Sequence, residues 1–179
     1  MIVNESPVPV ILYNVPGRTG CNMLPETTLS LANDFENVIG VKEASGNMEQ
    51  IMSIIRDKPE GFLVISGDDA ITFPLIAAGA DGVISVVANA FPKEFSEMVR
   101  ASLKGQFEKG RELHYLLSEI IPLLFAEGSP AGIKAVLSMM ESLVPDYLAY
   151  GVNRERVGGR MEGIAPSNAY PCADGTSII

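Results

Sequence analysis

One pattern recurs four times along the chain: a short apolar run, a break bearing Gly or Asn, then a stretch of helical character. The runs are "VPVILYNV" (8–15), "VIGVKEA" (38–44), "FLVIS" (62–66) and "GVISVVA" (82–88), and their starts lie 30, 24 and 20 residues apart. Such spacing is too long for hairpins and suits a strand, a crossover helix and the next parallel strand. The segments between the runs carry helix signals. Pro25 suits the first turn of "LPETTLSLAND". Asn47 can cap the next helix, with Gln50 placed to complete a capping box, and Ile51, Ile54 and Ile55 supply its apolar stripe. Asp68 or Asp69 can cap the third helix, which Pro74 is expected to kink. Phe91, Phe95, Met98, Val99 and Leu103 form the stripe of the fourth. Alternating strands and helices imply parallel strands with right-handed crossovers, so the expected class is α/β. Two architectures fit, an open doubly wound sheet and a (β/α)₈ barrel. "NVPGRTG" after the first run is not the Gly-rich phosphate turn of the open sheet, and four units are half of what a barrel needs. The pattern leaves both open.

Two further helical segments follow the units. "QFEKGRELHYLLSEIIPLLFAEG" (106–128) puts Leu113, Leu116, Leu117, Ile120, Ile121 and Leu124 on one face, and "PAGIKAVLSMMESL" (130–143) is a second apolar-faced segment. From about 144 no period is sustained, and the end from about 160 is expected to be disordered. The expected organisation is therefore 1–104 for the strand–helix units, 105–143 for a helical region and 144–179 for an irregular tail.

The 179 residues are 47% hydrophobic, enough for one globular domain with a sizeable core. A net charge of −9 disfavours non-specific binding to nucleic acid or anionic membranes and leaves a small molecule as the expected partner. No run approaches the roughly 20 apolar residues of a membrane span; the nearest, 115–128, is broken by Glu119 and Pro122. "MIVNESPVPV" lacks the basic start and long apolar core of a signal peptide. Cys21 and Cys172 give no disulfide framework and no metal spacing, so reduced thiols in the cytoplasm are expected. With His114 as the single histidine, expected at the surface, no Ser-His-Asp set and no metal cluster can be assembled.

The residue that demands an explanation is Lys42, at the end of the otherwise apolar run "VIGV". By strand alternation Val38, Gly40 and Lys42 share one face and Ile39, Val41 and Glu43 the other. If Ile39 and Val41 pack under helices, Lys42 points toward the centre of the fold. A lysine kept from bulk water is more easily held as the free amine, and a free amine attacks carbonyls to form a Schiff base. The competing reading is a strand-end lysine that snorkels to water, with Glu43 as its ion-pair partner. Tyr13 closes the first run and can relay a proton beside an imine, or can be a core tyrosine with one hydroxyl partner. Arg18 sits in the loop after that run, at the carboxyl end where α/β folds bind ligands, and a guanidinium grips a carboxylate bidentately. In "SGDD" (66–69), Gly67 would let a ligand approach the backbone closely. Tyr13, Arg18, Lys42, Gly67 and Ile84 all fall at or just beyond strand ends.

In this order and spacing, "YNVPGRTG" (13–20), "GVKEASGN" (40–47), "SGDD" (66–69) and "GADGVISV" (79–86) resemble the dihydrodipicolinate synthase family, one of the pyruvate-dependent class I aldolases and lyases. "GSPAGIKAVLSMM" (128–140) is similar to that family's carboxy-terminal helical region, and the resemblance runs from about 7 to 141. It implies the carboxy-terminal half of a (β/α)₈ barrel, four βα units, followed by extra helices. It implies condensation of pyruvate with aspartate semialdehyde in lysine and diaminopimelate biosynthesis. Lys42 would carry the Schiff base and Tyr13 would shuttle protons. Arg18 would hold the carboxylate of the aldehyde, while Gly67 and Ile84 would line the pyruvate site. No metal or diffusible cofactor is implied, because the protonated imine is the electron sink. The full-length form is expected to be a homo-oligomer. Sialic acid and sugar-acid aldolases, which share the tyrosine and lysine, are the alternative within the group.

The chain departs from the family in two places. About four barrel units that precede the tyrosine strand in the family are missing, with their threonine pair and second proton-relay tyrosine. The tail from 142 lacks the usual ending. A half barrel leaves two bare strand edges, so the chain alone is expected to self-associate or aggregate, and a catalytically silent fragment that binds a partner chain is the competing functional reading.

Overall fold

In the computed structural model, residues 2–150, 170–171 and 177–178 are described. They fall in two compact units, 1–137 and 138–179.

In the first unit a short helix, α1 (Ile2–Glu5), leads into β1 (Val10–Asn14), α2 (Pro16–Thr19) and α3 (Pro25–Asp34). Then follow β2 (Val38–Glu43), α4 (Met48–Asp57), β3 (Leu63–Ser66), α5 (Thr72–Ala77), β4 (Gly82–Val83) and α6 (Pro92–Leu103). The four strands form one parallel sheet in chain order, β1-β2-β3-β4, so the expected α/β class holds. Pro25 opens α3, and Asn47 caps α4 by accepting from the Gln50 N–H at 3.1 Å. Val41, Ile51, Ile54, Val64 and Leu75 are fully buried between the sheet and its helices. A second apolar cluster gathers Val87, Phe95, Met98, Leu117, Ile121 and Leu124.

Several elements differ from the pattern reading. The fourth run was expected to be a strand over 82–88, but only Gly82 and Val83 pair. The Asp69 carboxylate accepts from the N–H groups of both Val86 and Val87 at 3.0 Å, which turns the chain into a 3₁₀ segment (Val87–Asn89). Asp69 thus caps a later turn. Asp68 does the local work, accepting from the Ala70 N–H at 2.9 Å to start a 3₁₀ turn (Asp69–Ile71). Pro74 kinks nothing, because α5 begins only at Thr72 and the proline falls in its first turn, where an N–H has no intrahelical partner.

The single helix expected over 106–128 is two, α7 (Phe107–Ser118) and α8 (Ile120–Phe125). Pro122 cannot donate to Ser118, so α7 stops there and the proline sits in the first turn of α8. Leu116, expected on the buried face, is 67% exposed, because the buried line of α7 runs through Gly110 and Leu117, with Leu113 partly buried. His114 is half-buried and stacks on Phe73 with ring centroids 5.4 Å apart, where a surface position was expected.

α9 (Ala131–Tyr150) follows. It continues through 144–150, which the pattern reading had as irregular chain. In the second unit Tyr170–Pro171 and Ser177–Ile178 form a two-stranded antiparallel pair. The disorder expected from about 160 otherwise concerns residues outside those described.

Candidate active site

The site is set by how β1 meets β2. Val10 pairs with Val38, but Ile11 pairs with Gly40, so Ile39 is an extra residue, a bulge in β2. From there Leu12 faces Val41, Tyr13 faces Lys42 and Asn14 faces Glu43. Without the extra residue Tyr13 would face Val41. The bulge also corrects the expected alternation: Val38 joins Val41 in the core, and Ile39 does not belong to that core. Across three strands the ladders sort by chemistry. Leu12, Val41 and Val64 face the helices; Tyr13, Lys42 and Ile65 face the opposite side; Asn14, Glu43 and Ser66 close the strands as a buried polar rung.

On the open face the Lys42 ammonium lies 4.3 Å from the centroid of the Tyr13 ring, a cation–π distance. The lysine is half-buried, less sheltered than expected, and Tyr13 is 47% exposed. Gly67 closes the other side of the lysine. A Cβ built on Gly67 would stand 3.0 Å from Lys42 Cε and 2.8 Å from the Ala44 Cβ, and its N–H donates to the Glu43 carbonyl at 2.7 Å. Only a glycine lets the β3 end approach the lysine this closely. Tyr13, Arg18, Gly67 and Asp68 line a cleft of about 430 Å³ together with Ile121 and Phe125 of α8, whereas Lys42 is not among its lining residues and reaches it only through its contacts with Tyr13 and Gly67. Arg18 is placed by α2, which opens on Pro16 and is stopped by Gly20 at φ +68°. Among the described residues no carboxylate pairs with Arg18. Ile84 stands apart. Its N–H bonds the Ser66 carbonyl at 3.0 Å, but its side chain is 49% exposed and does not line the cleft.

Two acidic residues carry more structure than the sequence reading assigned them. Glu43, the candidate ion-pair partner of Lys42, turns to the opposite face and is fully buried, bonded to Asn14, Gln50 and the Ser45 N–H. Asp69 is 3% exposed and holds the segment after Ile84 through Val86 and Val87. The available signal was a charged residue directly after an apolar strand. Among the described residues, no group of three or more His, Cys, Asp and Glu side chains gathers as a metal site.

The sequence model of the dihydrodipicolinate synthetase family matches residues 1–150. The chain belongs to this family. The match extends past 141, where the resemblance read from motifs stopped. The 4-hydroxy-tetrahydrodipicolinate synthase of Parabacteroides distasonis is 58% identical over 139 residues, 78% of this chain and 47% of that protein. That of Sulfurihydrogenibium sp. is 43% identical over 162 residues, 87% of this chain and 55% of the relative. The crystal structure of dihydrodipicolinate synthase from Aquifex aeolicus superposes with a TM-score of 0.76 at 40% identity, covering 78% of this chain and 48% of that one. The chain thus spans about half the length of the dihydrodipicolinate synthases it matches.

Proposed function

We propose that this chain carries the Schiff-base half of a 4-hydroxy-tetrahydrodipicolinate synthase. The observation that carries the reading is the Lys42 ammonium lying 4.3 Å over Tyr13, beside Gly67, at the end of a parallel sheet. As a free amine Lys42 attacks the keto carbon of pyruvate. Tyr13 delivers a proton to the resulting hydroxyl, which departs as water and leaves an imine. Loss of a methyl proton gives an enamine, and its carbon adds to the aldehyde of aspartate semialdehyde. Arg18, which lines the cleft with Tyr13, holds the carboxylate of that second substrate. Gly67 bounds the pyruvate end through its backbone, while Ile84, expected beside it, lies outside the cleft with its N–H taken by the Ser66 carbonyl. The imine itself accepts the electron pair, so the sequence of steps calls for no cofactor.

The fold reading belongs with this one: four βα units as the carboxy-terminal half of a (β/α)₈ barrel, completed by four further units. Residues 1–104 form the barrel portion, and the helices α7, α8 and α9 follow it. We extend the reading to a homo-oligomeric full-length enzyme in the cytoplasm. Exposed, unpaired Cys21 supports a reducing compartment.

The test is borohydride reduction with pyruvate followed by peptide mapping. It is run on this chain alone and after mixing with a separately made amino-terminal half of a family member. A carboxyethyl adduct confined to Lys42 is expected. Adducts scattered over all lysines, or none in either sample, would sink the proposal. The open strand edges favour a second reading, a silent fragment that docks on a partner chain. Stable docking of the two halves without an adduct or turnover would select it.

A further inference from the structure

We infer that Glu43 is a positioning residue for the Lys42–Tyr13 pair, an inference that rests on the Schiff-base reading above. The polar rung immediately beyond that pair is buried throughout: Asn14 is 2% exposed, Glu43 0% and Ser66 1%. Glu43 Oε1 accepts from Asn14 Nδ2 at 2.9 Å and from the Ser45 N–H at 3.1 Å. Its Oε2 accepts from Gln50 Nε2 at 3.0 Å. Gln50 Oε1 in turn accepts from Asn22 Nδ2 at 2.8 Å, and Asn14 Oδ1 accepts from the Met23 N–H at 3.0 Å. Each of these donors is a neutral amide. A carboxylate fully removed from water and held only by neutral donors is a costly way to fasten two strands, and apolar residues would serve for fastening alone.

What the carboxylate adds is register. Tyr13 and Asn14 are consecutive, as are Lys42 and Glu43, so the Asn14–Glu43 bond locks the residues directly beyond the pair. The Ile39 bulge lies on the other side, so the pair is held between an irregular register upstream and this bond downstream. A slip by one residue would exchange the two faces of the strand and carry Lys42 away from the phenol. The same residue orders the lysine's other neighbour. Its carboxylate bonds the Ser45 N–H, and its carbonyl receives the Gly67 N–H at 2.7 Å, which keeps Gly67 against Lys42 Cε. Glu43 therefore holds both walls of the lysine without touching a substrate.

The readout is the Lys42 ε-methylene proton shift in lysine-labelled protein, assigned with Lys42→Arg. A methylene next to an ammonium over a ring face is moved upfield by the ring current, and a purely stabilising residue would not control that displacement. The wild-type signal is expected upfield of the other lysines and collapsed toward them in Glu43→Leu, which removes the acceptor of the Asn14 bond. Glu43→Gln keeps an amide oxygen for Asn14 and the Ser45 N–H and should hold the signal upfield. The rate of borohydride trapping of pyruvate should fall in Glu43→Leu on the order of a hundredfold and stay near wild type in Glu43→Gln. An unmoved signal in folded Glu43→Leu overturns the inference, as does a wild-type signal that is not displaced. If Glu43→Leu does not fold, Asn14→Ala decides: a displaced signal kept there overturns it, and a lost one supports it. A displaced wild-type signal that depends on Glu43, together with no pyruvate adduct, would refute the Schiff-base chemistry and leave the positioning intact.

Discussion

Tyr13 and Lys42 face each other because β2 has one residue more than β1 between their first paired positions and the site, Ile39. The ammonium then rests 4.3 Å from the ring centre. The two partners are separable by substitution. Lys42→Arg keeps a cation over the ring but cannot form an imine, so the borohydride adduct is expected to vanish while the unfolding midpoint in urea stays close to wild type. Tyr13→Phe keeps the ring and loses the phenol. It is expected to retain the adduct and slow its formation by about 10² to 10⁴-fold. Equal trapping rates in Tyr13→Phe and wild type would remove the phenol from the mechanism.

Gly67 and Gly17 border the same cleft and predict opposite outcomes. A Cβ on Gly67 meets the Ala44 Cβ at 2.8 Å, Lys42 Cε at 3.0 Å and the Glu43 carbonyl at 3.2 Å, whereas one on Gly17 meets nothing within 4 Å. Gly67→Ala should cost about 1–3 kcal/mol in urea denaturation through overpacking and slow pyruvate trapping by pushing the lysine aside. Gly17→Ala should leave trapping unchanged. Matching trapping rates in both variants would show that the close approach of Gly67 is dispensable.

His114 predicts a pH dependence of stability. Burial against Phe73 holds its imidazole below the ordinary value of 6.5, and its Nδ1 has no hydrogen-bond partner among the described residues. The unfolded chain takes up a proton near 6.5 and the folded chain only at lower pH. Stability is therefore undiminished above that value and falls as the pH drops from about 7 toward the folded pKa. His114→Phe keeps the stacking and removes the proton. Its urea midpoint should lose the part of the pH slope below about 7 that the histidine supplies. An identical slope in the variant would assign that slope to other groups.

The face bearing the lysine is open. Ile11 is 41% exposed, Leu63 36% and Ile84 49%, and among the described residues β1 and β4 each pair on one side only. The chain alone is therefore expected to elute above monomer size in size-exclusion chromatography with light scattering. Ile11→Lys, a charge placed on the edge strand, should shift it toward monomer. A monodisperse wild-type monomer would contradict this.

The alternation of strands and helices was legible because buried parallel strands leave continuous apolar runs, and each run was followed by a recognisable helix signal. Pro25 and Asn47 act within one turn of their own positions, so composition revealed them. What stayed hidden depends on partners far along the chain. The Ile39 bulge exists only relative to β1, and it reversed the expected facing of Val38. Glu43 looked like a local partner for Lys42 because the residue that engages it across the sheet, Asn14, lies 29 positions away. Gln50 was legible as a candidate box residue, but its side chain donates to Glu43 and accepts from Asn22, and the Asn47 N–H bonds the Ser45 hydroxyl instead. The fourth strand read too long because nothing local announces that Asp69 will claim the N–H groups of Val86 and Val87.

The break at Pro122 separates two kinds of inheritance in the cleft. The phenol of Tyr13 and the guanidinium of Arg18 come from the repeating units, while Ile121 and Phe125, which also line the cleft, come from a helix outside them. On the proposed reading, mutation in that helix would reshape the room left for an aldehyde and leave the capture of a keto acid alone. Phe125→Ala is accordingly expected to change the relative rates with short and long aldehydes in the reassembled enzyme, at an unaltered rate of pyruvate trapping. Chemistry and choice of acceptor would then evolve on different stretches of one chain.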